Sequence, residues 1–199
     1  MIGQMIDKLF YGFDMTILTI IHNIAVATNN AFEWPCLIIS FFFNHGAIPV
    51  IAILVALMIY KPTRKAAFCV LLGMALGALM TNLYIKPVVM RLRPYDSGNA
   101  TLYEWWQYVG AHVQLEYSFP SGHTTAMTAI VTVLITMLSS KKKYFLLVCI
   151  PLMGFVRNYL MVHYPSDIVG GIIIGIIGGY LGYRLGTYIF KRAEMRRNN

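Results

Sequence analysis

The sequence predicts an all-α integral membrane helical bundle: five to six transmembrane helices, an interfacial N-terminal helix and an external loop rich in aromatic residues. Three observations carry that expectation. Hydrophobic residues make up 58% of the 199 and charged residues only 12%, against about 25% charged in soluble domains. Apolar runs recur at lengths near the ~20 residues a helix needs to cross a bilayer. Basic residues gather where those runs end, as they do on the cytoplasmic side of membrane proteins.

Taken in order, residues 12–28 are the ambiguous element. Met15, Leu18, Ile21 and Ile24 share one helical face, whereas Thr16, Thr19, His22 and Asn23 lie mostly elsewhere. That amphipathic pattern suits a helix lying in the interface. No cleaved signal peptide is expected, because a basic leader and a small-residue cleavage site are both missing. The next apolar stretch runs from Trp34 to Tyr60 and is interrupted by Asn44-His45-Gly46. Four further spans are expected at 66–85, 122–140, 144–162 and 166–190. The last is rich in glycine, with Gly171 and Gly175 four apart and Gly178, Gly182 and Gly186 repeating the interval. Such faces let helices approach closely in lipid, and Gly73 with Gly77 offers a matching face within the same chain. The length suits one domain, 1–199. Cys36, Cys69 and Cys149 sit inside apolar runs and read as small buried hydrophobes.

Charge placement orients the bundle. The clusters Lys61-Arg64-Lys65, Lys141-Lys142-Lys143 and Lys191-Arg192-Arg196-Arg197 hold most of the 16 basic residues, and each borders an apolar run. Membrane topology thus explains the net charge of +8, and no nucleic-acid partner is needed. With those clusters cytoplasmic, the connections 86–121 and 163–165 fall on the opposite, extracytoplasmic side of a multi-pass plasma-membrane protein. The segment 95–119 carries Tyr95, Tyr103, Trp105, Trp106, Tyr108, Tyr117 and Phe119, rings that favour the headgroup level. It reads either as an anchor or as a rim over a lipid headgroup.

Three polar stretches also fall on that side: Lys86 to Arg93-Pro94, Pro120-Ser121-Gly122-His123, and Arg157 through His163 to Asp167. A charge at mid-bilayer costs roughly 2.5–3.5 kcal/mol on insertion scales, so cations retained in such a chain usually hold an anion. Arginine grips phosphate oxygens in pairs, while lysine acts as a point charge. Lys86 and Arg93, about two helical turns apart, are placed to converge on one anion. Ser121 suits a helix N-cap, with following N–H groups that favour an anion, and Gly122 permits close approach. Thr124 and Thr125 extend the first turn. Arg157 lies inside an apolar stretch; its bland alternative is a salt bridge to Asp167. Arg91 reads as a side chain snorkelling to the interface. Asp167, four residues after His163, is spaced to accept from one ring nitrogen and leave the other free. His22, His45 and His112 have no evident partners, and His45 is assigned a structural role near a bend.

Together these stretches resemble the three-part signature of the type 2 phosphatidic acid phosphatase superfamily, over residues 86–170 in order and spacing. The resemblance implies a metal-independent, cofactor-free lipid phosphatase working through a phosphohistidine. His163 would be the nucleophile, Asp167 its orienting partner and His123 the general acid. Lys86, Arg93, Ser121, Gly122 and Arg157 would bind phosphoryl oxygens. One position departs: the family usually has serine before the third-part arginine, and this chain has Val156. The expected substrate is a phospholipid or polyprenyl phosphate, first undecaprenyl diphosphate, with phosphatidylglycerophosphate, phosphatidic acid and lipid A as alternatives. A non-catalytic phospholipid-binding or transport protein is the competing class, favoured only by Val156; a haloperoxidase sits poorly with membrane spans. Oligomeric state is not legible.

Overall fold

A computed structural model of the chain describes residues 2–44 and 47–198, and every regular element among them is helical. Helix α1 spans Ile2–Ala27, α2 Glu33–Phe41 and α3 Ile48–Ile59. Helix α4, Lys61–Ala78, widens into a π-helical stretch, Leu79–Ile85, and runs on as the short α5, Lys86–Val89. Then come α6 (Ala100–Tyr108), α7 (Gly122–Met137), α8 (Cys149–Tyr159) and α9 (Pro165–Asn198). The expected His45 position lies outside the described residues.

Three of these helical stretches are long and apolar enough to cross a membrane: Ile2–Ala27, Lys61–Asp96 and Pro165–Arg196. Ile48–Ile59 and Gly122–Met137 are apolar but shorter. The helix expected over 12–28 starts near residue 2 and reaches 26 residues. Its buried face does include Leu18 and Ile21 as the periodicity suggests, but Asp14 shares it. The expected span at 144–162 divides into a 3-10 stretch, Lys141–Val148, and α8.

Helices α4, α7 and α9 form the centre. The glycines make this packing possible. A Cβ on Gly178 would stand 2.8 Å from the backbone N of Gly77, and one on Gly171 would stand 2.7 Å from the Ser121 carbonyl. Backbones that close gain dispersion contact along their length. Leu54 on α3, Cys69, Val70 and Met74 on α4 and Val133 on α7 fill one apolar cluster. A second cluster joins Leu18, Ile21 and Ala25 of α1 to Cys36, Trp106, Val156 and Tyr159.

Segment 95–119 is more structured than an anchoring loop. It contains α6, and Tyr95 stacks on Trp106 with ring centroids 4.5 Å apart, both rings buried. Trp105 stacks on His22 of α1 at 4.5 Å. Tyr103, Tyr108 and Tyr117 remain exposed. His112 also finds a partner, in Glu33 at 3.2 Å.

Candidate active site

The π-helical widening ends in Lys86, and the helix stops at Met90, whose φ of 48° turns the chain out of α5. Arg93 therefore sits on extended backbone rather than two helical turns along. It still meets Lys86, since both line one cavity of about 880 Å³ with Gly122, His123, Arg157 and His163. Residues from three separate stretches thus converge on one space. Its far wall is apolar, made by Ile51 and Met58 of α3 with Phe68, Leu71 and Met74 of α4.

The cations are held in different ways. Arg93 donates from Nε to the Glu116 carbonyl at 2.7 Å and from Nη1 to the Val162 carbonyl at 2.6 Å, leaving Nη1 3.4 Å from His163 Nε2. Lys86 is paired with the Glu116 carboxylate. Hydrogen bonding from Lys86 holds the Glu116 carboxyl below its usual range. Arg157 is 1% exposed, and its Nη1 donates to Ser40 Oγ. Its Nε and Nη2 are buried with no hydrogen-bond partner among the described residues. The Arg157–Asp167 pair considered from sequence does not form.

Asp167 pairs instead with Arg91, Oδ1 to Nη1 at 2.5 Å. This corrects the reading of Arg91 as an interfacial side chain. The residue is 1% exposed, and also bonds Asp7 and Asp14 of α1, each at 2.7 Å, and Ser166 Oγ at 2.7 Å. Its guanidinium lies 3.9 Å from the Tyr164 ring centroid. A buried cation needs such compensation, and here acidic residues some 80 positions away supply it. Their only sequence signal is carboxylates in an otherwise apolar helix.

His163 follows α8 and precedes Pro165, the first residue of α9. Its Nδ1 is 3.4 Å from Asp167 Oδ2 and 3.4 Å from Ser118 Oγ, whose hydroxyl donates to the same carboxylate oxygen at 2.5 Å. Ser118 thus intervenes in the pair expected from sequence, and the sequence reading did not include it. Nε2 is left facing Arg93. Burial first, then the neighbouring Arg93 and Arg157 charges, hold the His163 imidazole well below its ordinary range, hence neutral.

Ser121 caps α7, accepting from the Thr124 N–H at 3.5 Å and the Thr124 hydroxyl at 3.1 Å. Its side chain turns into its own helix and does not line the cavity, whereas Gly122 and His123 do. His123 Nε2 lies 3.0 Å from Asn44 Oδ1 and 3.3 Å from Ser40 Oγ. Neither contact, from Ser40 in α2 or from Asn44 just beyond it, was foreseen; a serine in an apolar helix carries no signal by itself.

Apolar helices thus surround a pocket of cations and imidazoles. The chain belongs to the PAP2 superfamily, whose family model matches residues 66–191. It is 29% identical over 150 residues to the lipid A 4'-phosphatase of Porphyromonas gingivalis, covering 72% of this chain and 61% of that protein. It is 30% identical over 171 residues to the undecaprenyl-diphosphatase of Sulfolobus acidocaldarius, covering 82% of this chain and 74% of that one. The chain therefore spans less than two thirds of the first relative and about three quarters of the second. The fold is similar to the crystal structure of Aquifex aeolicus LpxE, with a TM-score of 0.68 at 22% identity, over 86% of this chain and 95% of that one.

Proposed function

We propose that this protein hydrolyses the phosphate or diphosphate group of a membrane lipid at the extracytoplasmic face, through a phosphohistidine. The observation that carries the reading is Arg157: a buried guanidinium with two unmatched nitrogens, in the same cavity as Lys86, Arg93, His123 and His163. A phosphoryl group is the ligand whose oxygens match that set. In the reaction, His163 Nε2 attacks phosphorus and the bond to the leaving oxygen breaks. The electron pair goes to that oxygen, which His123 protonates. The imidazole gains positive charge as it bonds phosphorus, and Asp167, near Nδ1, offsets it. Water then attacks the phosphohistidine, His123 takes its proton, and inorganic phosphate leaves. Arg157, Arg93 and Lys86 stabilise the charge that builds on the equatorial oxygens.

The apolar wall of the cavity continues along α3 and α4, which suits a single long hydrocarbon chain. This supports undecaprenyl diphosphate as the substrate. Lipid A phosphate is the second reading, supported by the activity of the Porphyromonas relative. Phosphate release from undecaprenyl diphosphate, lipid A, phosphatidylglycerophosphate and phosphatidic acid, assayed in detergent with chelator, ranks them by kcat/KM. His163→Ala lowers turnover by at least about 10³-fold on whichever is preferred. Normal turnover by that variant would sink the mechanism.

A further inference from the structure

Helix α2 lies outside the stretch matched by the family, residues 66–191, yet it reaches the candidate acid. Ser40, in the last turn of α2, is 2% exposed, and the Asn44 N–H donates to the Ser40 carbonyl at 3.1 Å, placing the two residues one turn apart. Serine and threonine hydroxyls in apolar helices commonly donate back to the carbonyl four residues earlier. Thr16, Thr19, Thr28 and Thr136 all do so here. Ser40 makes no such bond; its contacts are Arg157 Nη1 and His123 Nε2. The Ser40 oxygen accepts from Arg157, and its proton is free to turn. Asn44 Oδ1 can only accept, so Nε2 of His123 carries a proton in the resting arrangement.

Resting on the phosphatase reading above, we propose that Ser40 and Asn44 are positioning residues for the acid–base histidine. Asn44 accepts from Nε2 and so favours the imidazolium, which gives its Nε2 proton to the leaving oxygen and keeps the proton on Nδ1. Ser40 serves both halves of the cycle. While Nε2 holds its proton, the hydroxyl oxygen faces an N–H. Once Nε2 has given the proton to the leaving oxygen, the Ser40 hydroxyl turns and donates to the vacated lone pair. No covalent bond to Ser40 changes. The same hydroxyl also accepts from Arg157 Nη1, while Nε and Nη2 of that residue remain to hold phosphate without it.

The test is leaving-group dependence, measured on purified full-length protein in detergent. Two amphiphilic monoesters with the same tail serve as probes, one an alkyl phosphate and one a nitrophenyl phosphate. The first needs its leaving oxygen protonated, and the second departs without help. In single turnover, Ser40→Ala and Asn44→Ala slow release of the alkyl leaving group by about tenfold and leave the nitrophenol burst rate almost unaffected, because dephosphorylation, common to both esters, does not enter that measurement. Ser40→Thr restores most of the loss. Ser40→Cys, which keeps the shape with a feeble donor, gives the same signature should the alanine variant fail to fold. Equal losses on both probes, or none on either, overturn the assignment. His123→Ala is the reference. If it lacks the same selectivity, the acid role in the phosphatase reading falls, and that failure is distinct from a failure confined to Ser40 and Asn44.

Discussion

Arg91 and Arg157 are equally buried, at 1% exposure each, but their surroundings are opposite. Arg91 is saturated: three carboxylates and a serine surround its fork, and a tyrosine ring covers its face. Arg157 has one hydroxyl and two unmatched nitrogens, Nε and Nη2. Deep burial alone therefore does not mark a binding group. A cation whose partners are all internal joins α1 to the start of α9, and a cation left incomplete waits for an anion from outside. Asp167 links the two regions, one oxygen on Arg91 and the other toward His163.

This contrast predicts opposite lesions. Arg91→Ala leaves Asp7, Asp14 and Asp167 without their cation and destabilises the fold by about 3–5 kcal/mol, read by thermal unfolding in detergent. A melting point unchanged by that substitution would break the comparison outright. Arg157→Ala does the reverse: kcat falls by about 10²–10³-fold while thermal stability holds or rises, because an incompletely paired buried charge is removed. Asp7→Asn sharpens the picture within the saturated region. Its side chain is 43% exposed, so solvent screening limits the stability loss to at most about 1 kcal/mol, well below that of Arg91→Ala.

The smallest effect concerns Glu116, the carboxylate on Lys86. Glu116→Gln removes an internal competitor for the anion site and tightens inhibition by inorganic phosphate about threefold. The sign with pH follows from its lowered value. The pair is in place above the ordinary carboxylate range and is lost only as pH falls through the depressed value of the folded protein. The ratio between variant and wild type therefore stays flat between about pH 5.5 and 8. A ratio that collapses toward one as pH falls across that interval would contradict it.

Much of the site was legible because lipid-like surroundings make charge conspicuous. Lys86, Arg93, Arg157 and the two histidines stand out in a chain with so few ionisable residues, and the structure gathers them in one cavity. What escaped was partnership across long separations. Nothing local in Asp14 or Arg91 says that they meet. Ser118 and Ser40 escaped for another reason: a lone hydroxyl acquires meaning only from its neighbours. The glycine spacing in α9 did predict close packing inside the chain, since small residues at that interval serve little else in lipid. Val156, read as a missing hydroxyl, is a buried residue of the cluster beneath α6, and Ser40 brings a hydroxyl to Arg157 from another helix.

The seam between α4 and α9 also makes alignment a long-range property. Lys86 and Arg93 are borne by the extension of α4, and Asp167 lies in the first turn of α9, so any shear between these two rods is delivered to the candidate site at one end of both. At Gly182, four turns from Asp167, a methyl group would strike the backbone of Gly73 and lever the rods apart. Damage to a residue that touches neither cation nor imidazole of the cavity would then surface there, with the fulcrum four helical turns away.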